Sequence, residues 1–260
     1  MASSNLSTPL FSIIVPTYNE ELLLPKLLES VRQQTLQDYE IIVADDSSTD
    51  LTQEIADRYG AVILVGKSLG EYLSRNAGAS VAKGSILIFT GADTLMPRNL
   101  LSSVARKFEN DPKLAGIYCP TYPYDGALWA KVEFTLWYVL TTLLFWITRE
   151  ANASTAFFAV RANVFRETRG FGNAAHADSA LSRQLARGFK IRPDLHLLIF
   201  VSGRRTRMGI GAFNRYHLAM IIDVVFGFLR KSGWLRAEKQ YRIGLHTRSN
   251  QAPSQGGHAD

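Results

Sequence analysis

A single cysteine, Cys119, in 260 residues excludes an internal disulfide and offers no zinc-ligand spacing, so a reducing compartment is the simplest expectation. No stretch reads G-x-G-x-x-G. No turn is therefore built to hold a dinucleotide pyrophosphate, which argues against a Rossmann dehydrogenase. Recognition-helix, zinc-finger and RNA-binding motifs are missing as well, which leaves nucleic acid without a reader. Met1–Leu10 is polar, and the apolar run after it is five residues long, so no signal peptide is expected. The sequons at Asn5 and Asn152 then read as chance matches.

What is present fits one globular domain with an appendage: 47% apolar and 20% charged residues, enough chain for a sizeable core. The net charge of +6 is unevenly placed, because residues 183–242 hold thirteen Lys or Arg against Asp194, Asp223 and Glu238. Such a face suits anionic lipid or diphosphate.

The first half alternates β-branched runs with amphipathic stretches. Strands are predicted at 11–15, 40–44, 61–65 and 85–89, and helices at about 20–34, 50–59, 70–82 and 97–109, with Pro97 in the first turn of the last. Further strands are expected at 155–160 and 196–202, with a helix near 178–188 between them. This alternation predicts an α/β protein with a mostly parallel sheet and helices on both faces. Ligands bind beyond the carboxyl ends of such strands. Pro16 should end the first strand, leaving Thr17, Tyr18, Asn19 and Glu20 there: a ring to stack on a base, and a carboxylate to accept from a ribose.

Four motifs, in order across residues 11–97, resemble family 2 glycosyltransferases, the inverting family of the GT-A fold. Phe11–Glu21 is similar to its first strand and loop. Glu40–Asp50, ending Asp45-Asp46-Ser47-Ser48-Thr49-Asp50, resembles its "DDxSxD" turn. Arg75-Asn76-Ala77-Gly78 with Ala82-Lys83-Gly84 resembles "RNxG…AKG". Ile86–Asp93 falls at its metal-binding D-x-D. The resemblance implies a mixed sheet and a nucleotide-sugar donor, linked to UDP or GDP. Pro16, Thr17, Tyr18, Glu20, Asp45, Asp46, Arg75 and Ala92 would bind it. The other reading of the turn is that Asp46, Ser47 or Asp50 simply turns the chain and caps the next helix, and for Arg75 it is an exposed helix arginine.

Asp93 is expected to hold Mg²⁺ or Mn²⁺ against the diphosphate, although Gly91 stands where the family has its first carboxylate. Gly170–Leu181 resembles the "GGF…EDxxL" segment, with Ala177 replacing the glutamate. It makes Asp178 the general base or, on local grounds alone, a helix N-cap. His176 is either a metal or acceptor contact or a loop residue. Arg204 and Arg205 resemble an "SxRR" element and would hold the leaving diphosphate or an acceptor phosphate.

Residues 134–148 form a nearly all-apolar helix of roughly 22 Å, short of the ~30 Å bilayer core. It has three readings: acceptor or bilayer contact, internal core, or homodimer interface. A spanning helix there would split the motifs between two sides of a membrane. The apolar run 218–229, followed by Arg230, Lys231, Trp234 and Arg236, looks interfacial. The expected organisation is an extension at 1–10, then a glycosyltransferase domain at 11–210 with a nucleotide half at 11–97 and an acceptor half at 98–210. An apolar, basic helical segment follows at 211–248, and a disordered tail at 249–260. Together these point to a transferase acting on a lipid or polyprenyl-type acceptor, cytoplasmic and peripheral on the membrane's cytoplasmic face. The substitutions Gly91 and Ala177 leave a second reading, a degenerate sugar-nucleotide-binding protein.

Overall fold

A computed structural model of the chain describes residues 8–222, apart from 68, 149–150, 152, 174–176, 210, 212–213, 216–217 and 219–221. His176, the basic run after 222 and the tail lie outside the described residues.

The main sheet has seven strands. In chain order they are β1 (Phe11–Thr17), β2 (Tyr39–Asp45), β3 (Val62–Val65), β4 (Ile86–Thr90), β6 (Leu114–Tyr118), β8 (Phe157–Arg161) and β9 (Lys190–Pro193), arranged β3-β2-β1-β4-β8-β6-β9. β1 to β4 are mutually parallel, while β8 runs antiparallel between β4 and β6. The sheet is therefore mixed, as the motifs implied. A second sheet of three short strands, β5 (Thr94–Leu95), β7 (Thr121–Pro123) and β10 (Ile199–Val201), is ordered β5-β10-β7.

Period-2 alternation in the central strands feeds a core on each face. Ile13, Val15, Val43 and Ile88 point to one side, where α1 (Leu24–Arg32) and α4 (Leu100–Asn110) supply Leu27, Leu28, Val31, Leu101 and Val104. Ile14, Ile42, Leu87 and Phe89 point to the other, against α3 (Glu71–Val81), α6 (Ala162–Arg166) and α7 (Ala177–Ala186). The short α2 (Thr52–Arg58) follows β2. Close approach of α3 to β1 explains Gly78: a Cβ there would sit 2.6 Å from Ile14 Cγ2.

Pro16 does not end β1. The strand continues to Thr17, paired with Asp45 on β2, whereas pairing with β4 stops at Ile14, so past that point one edge of β1 needs no donor. α4 starts at Leu100 rather than Pro97, because 94–95 are taken up by β5. α1 starts at Leu24, after a turn in which the Glu20 carbonyl accepts from the Leu23 and Leu24 N–H groups. β5, β6, β7 and β9 were not predicted.

The apolar helix α5 spans Leu128–Thr148, six residues longer at its start than expected and roughly 31 Å long. Lys131 and Glu133 belong to it, and one oxygen of Glu133 accepts from Asn214 Nδ2 at 3.0 Å. Asn214 also accepts from Trp137 Nε1 at 3.3 Å and so packs beside α5. The side chains of α5 are mostly half-buried or exposed, which argues against the internal-core reading. Length and composition would let α5 cross a membrane. Its two ends nevertheless run into β7 and β8, strands of the same domain, and β8 is locked between β4 and β6.

Candidate active site at the strand ends

The carboxyl ends of β1, β2 and β4 lie side by side, and the loops leaving them carry most of the candidate residues. Beneath the surface, Thr17 Oγ1 donates to Asp45 Oδ1 at 2.8 Å. The Asp45 carboxylate is fully buried and also accepts from Ser48 N–H at 2.9 Å, from the Ser48 hydroxyl, and from Gln53 Nε2 at 2.8 Å. Asp45 therefore builds the turn and does not face a ligand. Asp46 is half-buried and accepts from the Leu69 and Gly70 N–H groups at 2.7 and 2.9 Å, holding the loop that enters α3. Asp50 accepts from Thr52 N–H at 3.0 Å and performs the cap expected of this turn.

Asn19 and Ser47 adopt left-handed backbone conformations, with φ of 54° and 66°. Asn19 then stitches the two loops together, its N–H donating to Ser48 Oγ at 2.8 Å and its Oδ1 accepting from Thr49 N–H at 2.9 Å. Beside this frame the Tyr18 ring is 46% exposed and Pro16 half-buried.

The centre of the site is a charge cluster that no stretch of sequence contains. Arg204 Nε lies 3.0 Å from Asp93 Oδ2, and its NH1 lies 2.8 Å from Glu20 Oε1 and 2.9 Å from Oε2. One guanidinium thus bridges carboxylates from the ends of β1 and β4. Burial pushes the Glu20 carboxyl above its ordinary range, Arg204 pulls it back, and Asp93 and Asp50 push it up again.

Arg204 is delivered by a 3₁₀ turn, Gly203–Met208, directly after β10. Ser202 N–H donates to the Asp93 carbonyl at 2.8 Å, which fixes that turn against the β4 loop. Gly203 N–H donates to the Asp125 carboxylate, and a Cβ at Gly203 would collide with the Asp125 backbone. A Cβ at Gly91 would lie 2.7 Å from Asp93 Oδ1, so the Asp93 carboxylate folds back over the position where the family carries its first acid. Ala92 is buried between them.

Two candidates sit apart from this cluster. Arg75 is 1% exposed and pairs with Glu71 at 2.8 Å, while NH2 donates to the carbonyls of Thr90 and Thr155 at 3.3 and 3.2 Å. It is neither an exposed helix arginine nor a group open to a base or diphosphate. It ties α3 to the end of β4 and to the loop before β8. Asp178 is half-buried in the first turn of α7, which begins at Ala177, so it is not the N-cap expected of it; it accepts from Ser179 N–H at 2.9 Å. It also accepts from Tyr72 Oη and from Thr155 N–H, each at 3.2 Å. The Arg205 side chain lies outside what the structure describes.

Sequence reasoning did not single out Asp125, Thr155, Tyr72 or the Asn76 clamp, in which the side-chain amide exchanges two 2.8 Å hydrogen bonds with the Phe171 backbone. Asn76 and Phe171 fall inside motifs quoted above, and that co-occurrence was the available signal. Asp125 and Thr155 carried none.

Among the described residues no three His, Cys, Asp or Glu side chains converge as a metal site. Asp93 and Glu20 are hard oxygen donors of the kind Mg²⁺ and Mn²⁺ take, and such ions keep one or two carboxylates plus phosphate oxygens. The residues therefore fit an ion that arrives with a diphosphate, with Asp93 as its protein ligand.

The mixed sheet with its charged cleft at the parallel strand ends is the architecture of GT-A glycosyltransferases. Mannosyltransferase PcManGT from Pyrobaculum calidifontis, solved with GDP-Man and Mn²⁺, superposes with a TM-score of 0.68 at 20% identity, covering 91% of this chain and 67% of that one. S. aureus TarS, residues 1–349, gives 0.59 at 19% identity over 86% of this chain and 73% of that one. The sequence model of glycosyl transferase family 2 matches residues 12–169, and the chain belongs to that family. A PGL/p-HBAD biosynthesis glycosyltransferase of Mycobacterium tuberculosis is 36% identical over 107 residues, 38% of this chain and 42% of that protein. Validoxylamine A glucosyltransferase of Streptomyces hygroscopicus is 33% identical over 134 residues, 48% of this chain and 32% of that protein. The chain thus spans less than half the length of these curated relatives.

Proposed function

We propose that this protein is an inverting glycosyltransferase that moves a sugar from a nucleoside diphosphate donor to an acceptor at a membrane surface. The observation that carries the reading is the convergence of Glu20, Asp93 and Arg204 where β1, β4 and β10 end. GDP-Man and Mn²⁺ in the mannosyltransferase, and UDP-GlcNAc in TarS, support the donor class. Tyr18 offers its ring to the base, and Glu20 and Asp46 line the nucleotide side of the cleft. Arg204, with Arg205 beside it in sequence, meets the phosphates. A divalent ion at Asp93, Mg²⁺ or Mn²⁺, would supply positive charge to the departing diphosphate. Asp178 takes the proton of an acceptor hydroxyl as that oxygen attacks the anomeric carbon from the face opposite the leaving group.

A thermal-shift screen of UDP- and GDP-sugars, each with and without Mn²⁺, tests this. One donor class should raise the melting temperature, and Mn²⁺ should enlarge the rise, because a ligand of the native state stabilises it by mass action. A flat response to every donor would refute it. The degenerate reading keeps Gly91 as its support. It predicts the same shift with no metal-dependent hydrolysis or transfer.

The acceptor side rests on α5. Leu128, Val132, Leu136, Leu143 and Ile147 form an exposed stripe at helical spacing, and Leu218 and Ile222 add exposed apolar surface nearby in sequence to Asn214. We read this as a face that lies on the bilayer, making the enzyme peripheral on the cytoplasmic side, with a lipid or polyprenyl-type acceptor. Wild-type protein should co-sediment with anionic liposomes, and Leu136→Glu with Leu143→Glu should abolish this while leaving the melting temperature within a few degrees. A dimer interface instead gives no lipid binding and a concentration-dependent size.

A further inference from the structure

Arg204 occupies both carboxylates that a cation at this site would use. Its contacts to Asp93 and Glu20 are charge-assisted and lie between 2.8 and 3.0 Å. The two acid side chains are only 14% and 13% exposed, and the Arg204 side chain 38%. A free divalent ion would have to displace that guanidinium and leave a cation in a half-buried cleft without its acids. Hydrogen bonds of this type are about twice as strong as neutral ones, so that exchange is unfavourable. An ion carried by a diphosphate meets a different balance. The phosphoryl oxygens can take the guanidinium bidentately at the moment the ion takes the carboxylates, so every charge stays paired.

We infer that Arg204 makes divalent-ion binding at Asp93 conditional on the donor's diphosphate. The guanidinium guards the Glu20–Asp93 pair until phosphate oxygens draw it away. By linkage the coupling is reciprocal: the ion tightens the nucleotide by the factor by which the nucleotide tightens the ion. The inference rests on the reading that a nucleoside diphosphate binds at the ends of β1, β4 and β10. It goes further in assigning Arg204 the control of binding order. Gly91 belongs to the same arrangement, since its missing Cβ leaves room for the Asp93 carboxylate in the position that Arg204 holds.

Calorimetric titration of the full chain with Mn²⁺ alone, and with UDP or GDP at zero and saturating Mn²⁺, tests it without any turnover. In the wild type, Mn²⁺ alone should bind weakly, and Mn²⁺ should tighten the preferred nucleotide about tenfold or more, within the usual range of such couplings. In Arg204→Gln, Mn²⁺ alone should bind about fivefold tighter than in the wild type, and its effect on nucleotide affinity should fall to about threefold or less. Adding Asp93→Asn to Arg204→Gln should remove the gained Mn²⁺ affinity. Arg204→Lys, which keeps the charge but loses the fork, should fall between wild type and Gln. It serves as the test should the Gln variant fail to fold by circular dichroism. Free Mn²⁺ affinity that is unchanged or weaker in these variants overturns the inference. Absence of UDP or GDP binding to the wild type at any Mn²⁺ concentration refutes the donor reading instead, and the titration with Mn²⁺ alone still judges Arg204.

Discussion

Asp93→Asn should lower transfer by about 10²- to 10³-fold, the usual cost of removing one electrostatic stabiliser of a developing anion. The carboxylate sits at the end of β4 and faces Arg204 Nε at 3.0 Å, so the amide removes a charge without removing volume. Binding of the free nucleoside diphosphate should weaken less than transfer does, because the charge matters most when the glycosidic bond to the diphosphate breaks. Since the substitution leaves Arg204 one carboxylate short, its guanidinium still pairs with Glu20 and the fold should hold. Measured kcat and nucleotide affinity separate the two effects. Equal losses in both would make Asp93 a binding residue only, and near-normal transfer would remove it from the reaction.

Asp178→Asn has the second largest expected effect, and the effect depends on the acceptor. General-base catalysis contributes about 10²- to 10⁴-fold, and transfer to a hydroxyl acceptor should fall by that much. A polyprenyl phosphate is already ionised near neutral pH and needs no base, so transfer to it should fall only several-fold. Asparagine keeps the shape but turns an NH₂ toward one of the N–H groups, Ser179 or Thr155, from which the carboxylate accepts, so some stability should be lost as well. The melting temperature measured beside turnover separates that loss from the chemistry. Undiminished turnover on a hydroxyl acceptor would leave Asp178 only its structural contacts to Tyr72, Thr155 and Ser179.

The central strands were legible because burial on both faces writes itself as short, nearly continuous apolar runs, Phe11–Val15 and Ile86–Phe89 among them. Of the second sheet only β10 was, within the strand expected at 196–202; β5 has two residues and β7 three, too few for alternation to show. α5 was read too short because Lys131 and Glu133 interrupt its apolar run, and nothing local shows that Glu133 finds Asn214 81 residues away.

In the site, residue types marked the right loops without saying which way each side chain turns. Adjacent Asp45 and Asp46 point to opposite surroundings, one buried under Thr17, the other onto the α3 entry. A mid-helix arginine such as Arg75 reads as solvated until two carbonyls, one at the end of β4 and one in the loop before β8, close around it. The pairing of Arg204 with Glu20, 184 positions earlier, exists only once β1, β4 and β10 are assembled.

The crowding at Gly91 couples two positions through one carboxylate. A side chain there would place its Cβ 2.7 Å from Asp93 Oδ1, while Arg204 holds Oδ2 of the same group, so the carboxylate would have to turn aside. A substitution at 91 should therefore weaken the hold of Arg204 on Asp93. The worth of either residue can be judged only against the other.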